Sequence, residues 1–226
     1  MIDFQIKRSK RKTAAIHITD DGQIEVRCPL HFPDSKVRAF VGANSTKLQK
    51  LSAARAQEHR ARLGFCPGKL KSLTLLGKQY PLRRHQGARC FFDGQAFYLP
   101  QNIDDAGAKR LLVNLYKNLA REHIGKRVEK FSALMGLKPS AIKINNAKTR
   151  WASCSSKGNL NFSWRLIMAS ESCIDYVVVH ELAHMRQANH SPLFWAEVSK
   201  YYPNYNEARK ELYKLQQKLA FENWDL

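Results

Sequence analysis

The sequence predicts an α+β protein, in which a β-rich N-terminal half with a helical insertion precedes a helical core that carries a small sheet. Two observations predict this class. Residues 14–28 alternate apolar and polar side chains as a half-buried hairpin does, and residues 101–135 repeat apolar side chains at helical spacing. We therefore expect two domains: a β-rich region over residues 1–100, with helices at about 34–63, and a second domain over residues 101–226.

The N-terminal half begins with a predicted β-hairpin, whose turn is formed by Asp20, Asp21 and Gly22. The alternating residues of the hairpin are Ile16, Ile18, Ile24, Val26 and Cys28. Residues 34–63 are rich in helix formers and predict one or two helices. Strands return over residues 69–99, with a turn at Asp93 and Gly94. The predicted strands are Leu73–Leu82, Arg89–Phe92 and Gln95–Leu99.

The second half begins with a long predicted helix. Asp104 or Asp105 can cap its start, and Gly136 is suited to its end. Its apolar stripe consists of Leu112, Leu115, Leu119, Val128, Phe131 and Leu134. Two short strands and a last amphipathic helix complete the expected elements: Ala141–Ile144, Leu160–Trp164 and Tyr205–Asn223.

The residues His180, Glu181, Leu182, Ala183 and His184 form an H-E-x-x-H motif, which follows an apolar run over residues 174–179. On a helix, positions i and i+4 share one face, so both imidazoles can bind one zinc ion at ~2.0–2.1 Å. Glu181 can then act as general base towards a water at the metal. Two His and a Glu in an apolar run would be costly to bury without such a partner.

A third ligand is expected from the segment after this motif. Ser191 and Pro192 are a suitable N-cap and first residue of a further helix, so the first helix should end near residues 186–189 and leave His190 in the turn. Three protein ligands and one open position are typical of a catalytic zinc site. The alternatives are that His190 is a solvated loop residue, or that a carboxylate is the third ligand: Glu197, Glu207 or Glu211.

These motifs resemble those of the YgjP-like metallopeptidase family, a group of H-E-x-x-H zincins related by analogy to the SprT-like proteases. The matching segments are residues 148–166, 175–184 and 189–195, with further similarity at 8–15. The resemblance implies a zincin-like helical catalytic core over residues 101–226. It also implies that His180, His184 and His190 bind the metal and that Glu181 is the catalytic residue.

The chain departs from the family pattern at two positions. Ala152 replaces a Gly that is usual in the family, and Ser170 replaces a Pro that is common before the active helix. Neither position is a metal position. In zincins a strand beside the active helix often receives an extended substrate by backbone pairing, and Arg150 and Trp151 could line such an edge or could be structural.

The net charge of +19 favours association with polyanions, namely nucleotides, nucleic acid or the ribosome. The densest basic run, residues 7–12, is more typical of a solvated turn or strand edge. No apolar run reaches the ~18 residues of a membrane span, and the first residues lack an apolar signal core. The five cysteines are scattered and predict reduced thiols, so we expect a cytoplasmic protein without membrane contact.

The favoured function is therefore a zinc-dependent hydrolase, a metallopeptidase that uses a Glu-activated water to cut peptide or protein substrates. One alternative is a zinc-dependent phosphoanhydride hydrolase, a nucleotide pyrophosphatase, which the charge favours but the lack of a Gly-rich phosphate loop opposes. Another is a basic protein that associates with nucleic acid or the ribosome and has an idle zinc site. Candidates for stabilising the oxyanion are Arg150, Tyr202 and Tyr205, while Cys154 is either a nucleophile or, as we favour, a small buried residue on a strand.

Overall fold

The computed structural model describes residues 2–226 and has the α+β architecture that the sequence predicts. The chain divides into two compact units. The first comprises Met1–Phe65 with Lys218–Asn223, and the second comprises Cys66–Gln217 with Trp224–Leu226. The strands between residues 72 and 100 thus belong to the second unit, whereas the sequence analysis placed them in the first domain, which it ended at residue 100.

The first unit contains a three-stranded sheet in the order β1-β3-β2. Its strands are β1 Gln5–Ser9, β2 Ala15–Ile18 and β3 Ile24–Pro29. Antiparallel pairing of β2 with β3 confirms the predicted hairpin. Strand β1 pairs with β3 in parallel at the edge of the sheet, and the sequence analysis had only named a strand edge as one reading of residues 7–12, because Arg8 ends the alternation of Phe4 and Ile6.

Two helices, α1 Asp34–Ala43 and α2 Ser45–Gly64, follow this sheet and confirm the predicted helical insertion. The core of the unit joins one apolar face of the sheet to both helices; its buried residues are Ile24, Val26, Cys28, Val37, Val41 and Leu48. Gly22 adopts φ +88° in the hairpin turn, and a Cβ there would lie 2.6 Å from the carbonyl oxygen of Ser52. A close approach to α2 and a left-handed backbone therefore both require glycine at this position.

The second unit begins with a four-stranded sheet in the order β4-β5-β7-β6. Its strands are β4 Ser72–Leu75, β5 Lys78–His85, β6 Phe91–Phe92 and β7 Phe97–Pro100. The expectation of one strand over Leu73–Leu82 was wrong. The chain reverses at Leu76 and Gly77, both of which have positive φ, so this stretch forms an antiparallel hairpin.

The long helix α3, Asp105–Met135, has the predicted limits. The side chain of Asp104 accepts a hydrogen bond from the backbone N–H of Gly107, and Gly136 ends the helix in the left-handed conformation at φ 63°. Tyr116 is fully buried in the middle of α3, where its ring packs against Trp164 and Trp224. This aromatic cluster anchors the helix that supports the rest of the unit.

A second small sheet has the order β8-β10-β9, so β9 is an edge strand. Its strands are β8 Ala141–Asn145, β9 Ala152–Cys154 and β10 Asn159–Ser163. Three helices follow: α4 Glu171–Ala183, α5 Pro192–Tyr201 and α6 Tyr205–Ala220. Strand β9 lies beside α4, and an ion pair between Arg127 and Asp175 fixes α4 to α3. None of the helices within residues 2–226 combines the length and apolar character needed to cross a membrane.

Candidate metal centre

Helix α4 carries the H-E-x-x-H motif near its C-terminal end. The Ser170 side chain caps its start by accepting a hydrogen bond from the Cys173 N–H. The helix ends earlier than expected, at Ala183, and His184 is its C-cap residue in a right-handed helical conformation. Helical backbone therefore continues into His184, which keeps His180 and His184 on one face as the spacing predicts.

Helix α5 begins as the sequence predicts, with Pro192 as its first residue and the Ser191 hydroxyl accepting a hydrogen bond from the Phe194 N–H. The intervening turn returns the chain so that His190 faces α4. One nitrogen each from His180, His184 and His190 lies within 4.8 Å of the others. Among residues 2–226, no other group of three His, Cys, Asp or Glu side chains converges in this way.

The imidazoles of His180 and His184 are each oriented by a hydrogen bond on the side away from the shared centre of the three histidines. Nδ1 of His180 lies 3.3 Å from the Tyr176 hydroxyl, and Nδ1 of His184 lies 3.2 Å from the Gln187 carbonyl oxygen. The latter contact requires Nδ1–H on His184, because a carbonyl oxygen only accepts. Its Nε2 lone pair is then free to bind a metal, which is the arrangement that holds ligand histidines in metal sites.

The Nε2 atoms of His180 and His190 lie 3.1 Å apart, within hydrogen-bond distance of each other. Two ligand nitrogens of a tetrahedral ion, each at ~2.0–2.1 Å, would be separated by ~3.3 Å. Burial, followed by the neighbouring imidazoles, lowers the pKa of His180 to about 3, so this ring is neutral and able to ligate. The donor set and its spacing therefore fit a divalent metal ion.

Phe194 forms the floor of the site. Its fully buried ring lies 4.6–4.9 Å from the rings of all three histidines, measured between centroids. The sequence analysis did not find Phe194, because nothing in the pattern of α5 distinguishes it from an ordinary core residue. Tyr176 could have been found, since it precedes His180 by one helical turn.

Glu181 points to the β9 side of α4 and is buried. Burial raises the pKa of its carboxyl group to about 7, while the charge of Arg150 and the backbone amide of Cys154 partly offset that rise. Its Oε2 atom makes no hydrogen bond to residues 2–226. A buried carboxylate oxygen without a protein partner is suited to accept a proton from a water or substrate.

The other residues that the sequence analysis proposed for the site lie outside the group of three histidines. Glu197 is paired with Arg186, while Glu207 and Glu211 are exposed on α6, and the group of converging side chains includes none of them. Arg150 is near Glu181. Tyr202 packs on Tyr176, and Tyr205 stacks on Trp195.

Cys154 is half-buried on β9, as expected for a small strand residue. Burial and then the charge of Glu181 raise the pKa of its thiol above the ordinary value. A nucleophilic cysteine needs the opposite shift, because the thiolate is the reactive form. The raised pKa therefore favours a small strand residue over a nucleophile at this position.

The chain is similar to a known protein family and, over part of its length, to solved structures. The family model described as "YgjP-like, metallopeptidase domain" matches residues 12–215, a range that includes all the residues of the site. No curated protein matches the chain. Two solved structures are similar over part of it. The metallopeptidase zymogen of Pyrococcus abyssi abylysin has 26% identity and a TM-score of 0.37, over 42% of this chain and 94% of that chain. The metallopeptidase zymogen of Methanocaldococcus jannaschii jannalysin has 27% identity and a TM-score of 0.36, over 42% of this chain and 96% of that chain. Since the family model spans nearly the whole sequence, the chain belongs to the YgjP-like metallopeptidase family.

Proposed function

We propose that this metallopeptidase is a zinc enzyme, in which His180, His184 and His190 hold the ion and Glu181 is the general base. The observation that carries the proposal is the convergence of three imidazole nitrogens within 4.8 Å, beside a buried carboxylate. Neutral histidine nitrogens without a thiolate pair suit zinc, although nickel or cobalt also binds such a set. Family membership supports a metal ion and a peptide or protein substrate.

In the proposed hydrolysis, the carboxyl group of Glu181 carries out the proton transfers. When bound, a zinc ion supplies Lewis acidity, which lowers the pKa of water and polarises a carbonyl group. The Glu181 carboxylate accepts the proton of the attacking water at Oε2, which has no other partner among residues 2–226. The same carboxyl group then donates that proton to the leaving amine nitrogen.

The edge strand β9 provides a surface for an extended substrate. It pairs with β10 on one side and lies beside α4, so a peptide that added to its outer side would pass close to Glu181. Backbone pairing of this kind gives affinity without demanding one sequence. Arg150, which immediately precedes Trp151 and β9, is a candidate for stabilising the oxyanion from this side.

The proposal is tested by screening the zinc-loaded protein beside a Glu181→Gln variant. The substrates are unfolded proteins, peptide libraries and nucleoside triphosphates, and RNA binding is measured in parallel. We expect peptide cleavage that depends on both zinc and Glu181. Release of pyrophosphate or phosphate from nucleotides would favour the phosphoanhydride hydrolase instead. Salt-sensitive RNA binding without either activity would favour a nucleic-acid- or ribosome-associated protein with an idle site.

All five cysteines are free. This supports the proposal of a reducing, cytoplasmic compartment, where disulfides are rare.

A further inference from the structure

A shelf of two aromatic rings and one guanidinium lies beside the three histidines. We call Trp195, Tyr205 and Arg209 the aromatic shelf. Tyr205 and Arg209 are one turn apart on α6, so they lie on the same face of that helix. The Tyr205 ring stacks on Trp195 at 4.9 Å and 23°, and the Arg209 guanidinium carbon lies 5.1 Å from the centre of the Trp195 ring system.

The aromatic shelf adjoins the candidate metal centre. The Trp195 ring lies 5.8 Å from the His190 ring and 5.9 Å from the His180 ring. The guanidinium carbon of Arg209 lies 5.1 Å from the Trp195 ring, and that ring lies 5.8 Å from the His190 ring. Taken end to end, these two distances equal the length of about three residues of extended peptide, at ~3.3–3.6 Å per residue.

Within residues 2–226 Arg209 has no acidic partner, unlike three other arginines of the second unit. Arg127, Arg165 and Arg186 each pair with a carboxylate. Within residues 2–226, no carboxylate pairs with the exposed side chain of Arg209, whose contact is the Trp195 ring. A planar guanidinium that rests on an indole keeps its N–H donors available at the edge of the plane, where they match a carboxylate.

We infer that Arg209, held on Trp195 and Tyr205, is a specificity-determining residue that binds a carboxylate of the peptide substrate within about three residues of the scissile bond. The substrate class is thus an acidic peptide, or one cut close to its free C-terminus. This inference rests on the proposed peptidase function. Because the guanidinium is exposed to solvent, which weakens an ion pair, a preference of about two- to fivefold is expected.

The test uses alanine-based octapeptides and the zinc-loaded, full-length protein. One series carries a single Glu or a single Gln at each successive position, and a second series has a free or an amidated C-terminus. We expect kcat/KM to be about two- to fivefold higher for the carboxylate member of a pair at one position, and this ratio to fall with added salt. The first series reports a side-chain carboxylate and the second a terminal one.

Three variants show whether Arg209 is responsible. Arg209→Gln should abolish the preference, and Arg209→Glu should reverse it in favour of a Lys-containing octapeptide. Lys210→Glu is the matched control, because it makes the same charge change at the next exposed position of α6. It should retain the preference of the unaltered protein.

Binding of the same peptides to zinc-loaded Glu181→Gln protein separates recognition from catalysis. Cleavage of all pairs at equal rates would overturn the role of Arg209 and leave the peptidase proposal intact. Carboxylate-dependent binding that Arg209→Gln abolishes, without cleavage by the unaltered protein, would uphold recognition and reject the peptidase. Absence of both cleavage and charge-dependent binding would reject both. A preference that survives Arg209→Gln or is lost in Lys210→Glu would also overturn the inference.

Discussion

Arg186 and Glu197 form an ion pair that ties the turn after α4 to α5. Arg186 also donates a hydrogen bond to the carbonyl oxygen of Met135, the last residue of α3. The turn between residues 184 and 191 therefore has a fixed attachment on each side. Glu197, which the sequence left open as a metal ligand, pairs with Arg186 in this structure.

We expect Arg186→Ala to weaken metal binding about tenfold, because positioning groups outside the ligand set commonly contribute 10–100-fold to affinity. The measurement is competition with a chromophoric chelator, with the stability of the metal-free protein measured separately. Arg186→Lys should recover part of the affinity. Unchanged metal affinity with reduced stability would show that the attachment is purely structural.

His190→Ala should weaken zinc binding by ~10²-fold or more, since it removes a ligand rather than a supporting group. Glu197→Ala and Glu207→Ala should have far smaller effects. His17→Ala, an exposed histidine on β2, is the matched control. Elemental analysis and chelator competition measure the outcome, and strong loss with either Glu variant but not with His190→Ala would identify a carboxylate as the third ligand.

Glu181→Gln should retain zinc and fold while losing at least ~10²-fold in turnover, the lower end of what a positioned general base contributes. The substitution preserves size but removes the proton acceptor. Metal content and thermal unfolding are measured on the same sample as activity. Unchanged turnover would assign the activity to another group, and loss of zinc would indicate that Glu181 is itself a ligand.

Phe194→Ala should destabilise the second unit by about 3–5 kcal/mol, the usual cost of truncating a buried phenylalanine. It should also loosen metal binding, because the floor beneath all three imidazoles is lost. Phe194→Leu keeps most of the volume and should cost much less. Urea unfolding with and without zinc distinguishes the two effects, and a stability equal to that of the unaltered protein would contradict this packing role.

The first unit should lose stability at acidic pH through Glu25. Hydrogen bonds from Lys7 and then Arg27 hold the pKa of this buried carboxyl group below its ordinary value. Its stabilising contribution is therefore fully present above the unfolded-state pKa of about 4.3, and is lost as the pH falls through the lower folded-state pKa. Hydrogen exchange of the β3 amides, compared between pH 3 and pH 7, should show less acid sensitivity in Glu25→Gln. An identical pH dependence in both proteins would rule out this contribution.

Local patterns in the sequence determined much of the fold. The Asp-Asp-Gly turn predicted the hairpin of β2 and β3, Asp104 and Gly136 predicted both ends of α3, and Ser191 and Pro192 predicted the start of α5. These features depend on turn and capping chemistry within a few residues, so they are readable without tertiary information. The H-E-x-x-H spacing is of the same kind, because one helical turn alone places two histidines on one face.

Contacts between residues that are far apart in the sequence determined the remaining features of the fold and of the site. Leu134 fits the apolar stripe of α3, yet it is 59% exposed, whereas Tyr116 is fully buried against two tryptophans from elsewhere in the sequence. The pairing of β1 with β3 and the attachment of Arg186 to Met135 likewise join segments that no short-range pattern connects. The sequence by itself named the chemical groups of the candidate metal centre. Only the tertiary structure determined what surrounds these groups within residues 2–226: the buried ring of Phe194 beneath them, the Glu181 oxygen that has no hydrogen-bond partner, and the nearby Arg209 that has no acidic partner. The reason is that packing and charge pairing depend on which elements meet in space.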